Sequence, residues 1–145
     1  MWNELTSQEG LQAFLESMQY FHDSCIKELH YISGAYVKEN LSMYPVNDRR
    51  VLRVLIQRQY NECPMVEMEF AGLKHLKLFP ADDQYTCEIL DSTLIMENGD
   101  IYWADLGGLS VKEMEDYEGT VICASQLRWR PLDRHMGEAA VYKTT

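Results

Sequence analysis

The spacing of apolar residues predicts one helix near the start of the chain. Five of them recur there at three- and four-residue steps: Leu11, Phe14, Leu15, Met18 and Phe21. This spacing is typical of an amphipathic helix, which we expect over residues 7–20. Thr6 and Glu9 have the spacing of a capping box, in which each side chain binds the other's backbone amide.

Two structures fit the stretch that follows. The helical spacing extends through His22, Cys25, Leu29 and Ile32, which is compatible with one long helix. Against this, Tyr31 favours a strand and Gly34 weakens a helix interior. We therefore predict a strand over 24–33 and keep the continuous helix as the alternative.

Alternation of apolar and polar residues predicts further strands. They cover 51–59, 66–70, 73–79, 85–96, 101–104 and 120–129. A loop is expected over 39–50, and Asn98-Gly99 predicts a tight hairpin turn. Ser110 and Glu113 have capping-box spacing at the start of a short helix that Gly119 can end. On the last strand we place four residues on one face: Val121, Cys123, Leu127 and Trp129.

Strands that follow one another without intervening helices predict an α+β fold that is mostly antiparallel β. We expect a sandwich or a strongly bent sheet of about seven strands, with an N-terminal helix and one short late helix. The 145 residues correspond to one domain. We assign residues 1–131 to this globular domain and residues 132–145 to a polar C-terminal tail.

The net charge of −10 argues against nucleic acid and membrane surfaces as partners and fits either a basic protein or no charge-selected partner at all. The chain has no run of 18 apolar residues, so we expect no membrane-spanning helix. The four cysteines show no C-x-x-C spacing, and we see no signal peptide. Both observations predict free thiols and a cytoplasmic location.

His22, Asp23, Ser24 and Cys25 form the densest group of reactive side chains. We predict that Asp23 is a junction residue whose carboxylate accepts backbone amides, and that His22 binds a backbone group and is shielded from solvent. The alternative is a metal-dependent or hydrolytic enzyme centred on His22 and Asp23, completed by a distant residue such as His75. Spacing along a helix or a strand keeps His30 too far from His22 to share a metal. We assign no catalytic residue, metal or cofactor.

Charged clusters give two further predictions. An acidic run on the short helix predicts a solvated face or a docking surface for a basic partner; it consists of Glu113, Glu115, Asp116 and Glu118. The basic cluster predicts an edge strand protected by arginines, or pairing with the acidic helix; it consists of Arg128, Trp129, Arg130 and Arg134. Glu67 and Glu69 are expected on a solvated strand face.

Aromatic residues in the second half of the chain offer a third function. A small-molecule-binding β protein could line a cavity with Tyr85, Tyr102, Trp103 and Trp129. Such rings more often fill a core or lie at sheet edges. The other two functions that we weigh are a non-enzymatic module that binds another protein and the metal-dependent or hydrolytic enzyme.

Phe21-His22-Asp23-Ser24 stands just before a predicted strand and ahead of a run of strands. Much of the chain resembles an uncharacterised bacterial family whose activity is unassigned. The arrangement over 21–24, with the stretch over 70–78, also resembles a group of small bacterial proteins. Among them are immunity proteins of polymorphic toxin systems, which carry a Phe-His-Asp motif near the N-terminus. The resemblance implies a non-enzymatic, cytoplasmic, mostly β protein that binds and blocks a toxin. His22 and Asp23 would then join the acidic run in binding the partner.

Overall fold

Nine strands, two α-helices and one short 3₁₀ turn (Gln19–Phe21) form the part of the chain that the computed structural model describes, residues 1–132 and 137–143. The strands are β1 (Asn3–Leu5), β2 (Ser24–Ile32), β3 (Tyr36–Val37), β4 (Met43–Tyr44), β5 (Val51–Arg58), β6 (Met65–Lys77), β7 (Thr93–Glu97), β8 (Asp100–Ala104) and β9 (Val121–Pro131). The helices are α1 (Gln8–Ser17) and α2 (Val111–Asp116). The predicted α+β class, with one N-terminal and one short late helix, is confirmed. No helix among these residues is long and apolar enough to cross a membrane.

Seven strands form one antiparallel sheet in the order β2-β5-β6-β9-β8-β7, and β1 pairs with the second half of β9. Ile89, ahead of β7, forms an isolated bridge with Ser24 in β2, at the opposite end of the strand order. The two ends of the sheet therefore approach each other, which requires a strongly bent sheet. Of the two predicted architectures, the bent sheet is the one observed. β3 and β4 pair only with each other and form a separate hairpin.

α1 covers one face of the sheet. It begins at Ser7, whose side chain accepts from the Gly10 N–H at 3.0 Å, so its N-cap lies one residue after the predicted Thr6. Its apolar stripe packs into a core that includes Trp129, whose ring lies 4.8 Å from that of Phe14. The helix is shorter than predicted because Gln19, Tyr20 and Phe21 take positive φ values, which a right-handed helix excludes. 

Local sequence signals predict several other elements correctly. β2 is a strand, so the continuous helix is ruled out. Asn98 and Gly99 have φ values of +52° and +82° and connect β7 to β8, as expected of a tight hairpin with two left-handed residues. All four cysteines lie in the described ranges and are free thiols.

Other boundaries differ from the prediction. The segments 66–70 and 73–79 are parts of one strand, β6, that bends at Gly72 (φ +64°). The predicted strand over 85–96 begins only at Thr93, and residues 85–88 before it are exposed. The loop over 39–50 contains β4. β1 is missed because three residues are too short for a period to be read.

The last strand does not keep one apolar face. Leu127 and Trp129 pack in the main core under α1, whereas Val121 packs with Ala104 and Met114 in a smaller cluster beneath α2. The alternation changes phase between these groups, where Ser125 lies against the bend at Gly72. A Cβ on Gly72 would come within 3.0 Å of the Ser125 side chain. A coupled bend in two paired strands therefore splits the predicted face.

The predicted tail over 132–145 contacts the sheet where it is described. The N–H groups of Val141 and Tyr142 donate to the Glu28 carboxylate at 2.7 and 2.8 Å. Nζ of Lys27 donates to the Gly137 carbonyl at 2.8 Å. This segment therefore crosses the face of the sheet opposite α1.

Candidate protein-binding surface

His22 and Asp23 join the turn after α1 to the start of β2. The backbone of Asp23 makes the junction, because its N–H donates to the Ile89 carbonyl and its carbonyl accepts from the Gln59 N–H, both at 3.0 Å. Nδ1 of His22 lies 2.9 Å from the Leu90 carbonyl oxygen. The predicted junction position and the predicted backbone contact of His22 are both observed.

The side chain of Asp23 differs from the prediction. Its Oδ2 lies 3.4 Å from Nε2 of His22, and the two side chains are 48 and 50% exposed. Asp23 has a φ of +58°, in the left-handed region that Asp occupies more readily than most residues. We expected a carboxylate bound to backbone amides and a shielded His22. Instead, backbone groups form the junction and both side chains reach solvent.

A cleft of about 550 Å³ opens beside this junction. It is lined by Asp23, Ser24, Cys25, Gln57, Arg58, Gln59, Glu88 and Gly137. The Ser24 hydroxyl donates to the backbone carbonyl of His22 rather than to its ring. Burial, with a smaller contribution from Cys87, raises the pKa of the Cys25 thiol. A nucleophile needs an oriented base or a lowered pKa, so neither side chain is activated here.

The other candidate histidines lie elsewhere. The His30 ring meets the Tyr142 ring edge to face at 5.2 Å, on the face opposite α1. His75 lies beside Tyr102 and lines a separate cavity near α2. The fold therefore does not bring His75 to His22, as the enzyme alternative required. Within residues 1–132 and 137–143, no group of three His, Cys, Asp or Glu side chains could hold a metal ion.

The four aromatic residues of the small-molecule alternative are dispersed. Trp103 and Trp129 pack in the main core. Tyr102 is half-buried, and a hydrogen bond with Cys123 is the main cause that raises its pKa to about 12. Tyr85 is exposed. These rings do not enclose a common cavity.

α2 carries the predicted acidic run on its solvent side and just beyond it. The exposed members are Glu113, Glu115, Asp116 and Glu118. The predicted capping box is present, because Ser110 and Glu113 each accept a backbone N–H from the other at 3.1 Å. Nζ of Lys77 donates to three carbonyl groups at the other end of α2. This lysine stabilises the negative end of the helix and is directed to its backbone, not to its acidic side chains.

Arg128 and Arg130 of the basic cluster form ion pairs with glutamates of the same sheet. β9 pairs with β6 on one side and with β8 and β1 on the other, so it is not an edge strand. Nε of Arg128 donates to Glu69 at 2.7 Å, and Nε of Arg130 donates to Glu67 at 2.8 Å. Nε of Arg53 donates to the second oxygen of Glu69 at 3.0 Å. The predicted pairing with the acidic helix is wrong, and Arg134 lies outside the described residues.

Glu67 and Glu69 are buried, with exposed fractions of 2 and 6%, so the prediction of a solvated strand face is also wrong. The indole of Trp2 lies 4.3 Å from the guanidinium carbons of Arg128 and Arg130. The hydroxyl of Tyr142 donates to Glu67. Both ends of the chain therefore cover this charged face. We name these charged residues the arginine–glutamate network: Arg53, Glu67, Glu69, Arg128 and Arg130.

The hairpin β3–β4 exposes apolar side chains, and sequence analysis assigned its part from residue 39 onward to a loop. We call residues 36–44 the arm. The rings of Tyr36 and Tyr44 stack at 5.2 Å, and the Asn40 side chain accepts from both the N–H and the hydroxyl of Ser42. These contacts hold Leu41 at the tip with a φ of +71°. Its side chain is 83% exposed, and that of Met43 is 66% exposed.

A second surface feature is a groove of about 740 Å³ beside β2, which we call the edge groove. It is lined by Ile26, Lys27, Glu28, Leu29, Leu78, Phe79, Pro80, Ala81, Cys87, Glu88, Asp105, Tyr117, Glu118, Gly119 and Thr120. Tyr117 donates to Asp105 at 2.5 Å; burial and this bond raise the pKa of the Tyr117 hydroxyl. The groove thus joins the edge of the sheet to the acidic segment after α2.

Comparisons with protein-family models, curated proteins and solved structures found no match to the chain. The geometry therefore carries the functional argument. It offers an exposed apolar arm and a groove with acidic walls. The resemblance of residues 21–24 to immunity proteins remains an expectation that depends on those residues.

Glu69→Gln should lower the free energy of unfolding at pH 7 by about 2 kcal/mol. This is less than the roughly 3–5 kcal/mol of a fully buried pair, because Arg53 and Arg128 keep contact with water. Burial alone would raise the pKa of Glu69, but the two guanidinium groups outweigh it and lower that pKa. The carboxylate therefore stabilises the fold above its ordinary pKa, and this contribution is lost as pH falls through the folded pKa.

Urea unfolding at several pH values between about 7 and 3 checks this expectation. The variant should show a weaker loss of stability on acidification than the natural chain. Glu4→Gln is the matched control, because Glu4 is 4.0 Å from Arg128 and largely exposed; it should change stability by less than about 0.5 kcal/mol. Equal effects of the two substitutions would contradict the role given to Glu69.

Asp23→Ala should be less stable than Asp23→Gly by about 1 kcal/mol. Both substitutions remove the carboxylate, but only glycine adopts the left-handed backbone without cost. Thermal unfolding of the two variants compares backbone and side-chain roles directly. Equal destabilisation by both would mean that the carboxylate, not the backbone conformation, holds the junction.

Proposed function

We propose that the protein is a non-enzymatic interaction module that binds a basic protein and blocks it. Toxin neutralisation in the cytoplasm is the role favoured by the resemblance of Phe21-His22-Asp23. The arm is the single observation that carries the proposal. Its tip is built by specific hydrogen bonds, yet Val37, Leu41 and Met43 face water.

The backbone of Leu41 strengthens this argument. A left-handed conformation costs a non-glycine residue roughly 1–2 kcal/mol. Folding gains little in return here, because the Leu41 side chain is not buried. Strained backbone that presents an apolar side chain to solvent is typical of binding segments. Exposed Tyr and Met are also enriched at the centres of protein interfaces.

The charge distribution supports a basic partner. The chain carries a net charge of −10, and several of its cations bind internal groups. The three arginines of the arginine–glutamate network bind buried carboxylates, Lys77 binds the end of α2, and Lys74 pairs with Asp100 at 2.8 Å. In the proposal, the acidic run Glu113, Glu115, Asp116 and Glu118 lies at the rim of the interface. His22 and Asp23 contribute their half-exposed side chains.

A photoreactive residue in place of Met43 tests the arm as an interface. In cells of the source organism it should yield one crosslinked protein of basic isoelectric point. Adding Leu41→Asn should remove this product without unfolding the chain, since asparagine tolerates the left-handed backbone. The same photoreactive residue in place of Leu106, an exposed leucine outside the arm, is the control. Identical products from both positions would sink the proposal.

The blocking role needs a second measurement on the crosslinked protein. Produced alone in cells, that protein should arrest growth, and co-production of the natural chain should restore it. The association rate should fall as salt rises, because complementary charges steer the encounter. A partner that is harmless when produced alone would overturn toxin neutralisation and leave the interaction itself standing.

A further inference from the structure

We propose that an extended basic segment of the partner binds in the edge groove and adds to β2 as another strand. This inference rests on the proposed function, because it describes how the partner is held. It assigns a binding mode to a surface distinct from the arm. Three features of the groove support this binding mode: an open sheet edge, an apolar wall and the sign of the charge around them.

β2 ends the strand order of the sheet. On one side it pairs with β5 from Ser24 to Ile32. On its other side, the isolated bridge between Ser24 and Ile89 is the pairing formed within the described chain. The edge after Ser24 therefore presents backbone N–H and C=O groups in the arrangement that an incoming strand requires.

The shape of this edge favours a different chain over a second copy of the same one. The pairing with β5 shifts register between Ile26 and Glu28, which marks a bulge at Lys27. A bulge twists an edge and disfavours flat pairing between identical edges. Lysine often guards an edge, but Nζ of Lys27 donates to the Gly137 carbonyl. The edge is thus shaped against self-association and is not guarded by its lysine.

The opposite wall of the edge groove supplies apolar contacts. Leu78 and Phe79 are 47 and 52% exposed there, and Pro80 follows them. An added strand directs alternate side chains to opposite sides, so it can place apolar residues against this wall while its backbone pairs with β2. The volume of about 740 Å³ lies within the range of sites that enclose a bound ligand.

The charges of the residues that line the edge groove determine which kind of peptide segment fits it. Glu28, Glu88, Asp105 and Glu118 line the edge groove, and Lys27 is the cation among its lining residues. Glu88 and Glu118 are exposed, whereas Asp105 binds Tyr117 and the Thr120 N–H. A segment with alternating basic and apolar residues therefore matches both the acidic groups and the apolar wall.

An eight-residue peptide of alternating Lys and Val, labelled with fluorescein, is the probe. Fluorescence anisotropy should report binding that weakens with salt, while the corresponding Glu–Val peptide should not bind. Two further peptides carry N-methyl groups on all the valines or on all the lysines. Alternate residues of a strand present their N–H groups to opposite edges, so only one of these peptides should lose affinity, by at least about tenfold. Equal binding by both methylated peptides would overturn strand addition.

Charge reversal locates the binding site on the protein. Glu88→Lys with Glu118→Lys should weaken binding of the Lys–Val peptide at least about tenfold. The matched control is Glu16→Lys with Glu97→Lys, which changes the net charge equally at exposed positions outside both the groove and the acidic run; it should stay within about twofold. Equal weakening by the two double variants would mean general charge attraction and would contradict the inference.

The outcomes for the groove and for the arm are separable. A partner that crosslinks at Met43 while the Lys–Val peptide shows no binding would overturn strand addition and leave the interaction module standing. Peptide binding with the predicted methylation and charge-reversal pattern, but no crosslink at the arm, would support the groove and overturn the role of the arm.

Discussion

The arginine–glutamate network is the constraint on which the rest of the fold depends. β6 lies in the middle of the sheet, with an apolar face beneath α1 and a face that carries two buried carboxylates. Arg53 and Arg128 stand directly opposite Glu69 on the neighbouring strands, and Arg130 stands opposite Glu67. A one-residue slip would place these charges in the apolar core. The ion pairs therefore fix the register of β5, β6 and β9 together, and the two chain ends pack over them.

With its centre fixed in this way, the sheet leaves open surface at its ends. The bend brings the segment before β7 to the start of β2 but pairs it there only at Ser24 and Ile89. The rest of the β2 edge and the arm that follows it lie outside the main core. Exposed apolar side chains lie on the arm, and Leu78 and Phe79 lie on the wall of the groove beside β2. The stability of the centre thus permits an open edge and a strained tip at the periphery.

Sequence analysis predicted the elements that depend on neighbouring residues. The α1 stripe, the Asn98-Gly99 turn and the Ser110 capping box each need only a few adjacent positions. It did not predict contacts between residues that are distant in sequence. The alternation around Glu67 and Glu69 shows that they share one face of the strand, but not which residues cover that face. The covering residues, Trp2 and Tyr142, are far from this strand in sequence. The segment before Thr93 has strand-like residues, but no neighbouring strand extends along it.

Sequence analysis located two structural features of this region but neither of the proposed binding surfaces. His22 and Asp23 do mark the junction where the edge strand begins, and the acidic helix does face solvent. The arm was missed because Asn40 and the adjacent Pro45 are typical of loops, and no periodicity can show that Leu41 stays exposed. The edge groove was missed because its walls come from five separate stretches of chain.

Amide hydrogen exchange of the unbound protein, resolved by residue, tests most directly whether β2 is an open edge. The account predicts that alternate amides from Ile26 to Ile32 exchange at least about a hundredfold faster than those of Val66–Phe70 in β6, since only paired amides are protected by the stable sheet. Uniform protection along β2, equal to that of β6, would show that another part of the chain already occupies this edge and would contradict the account.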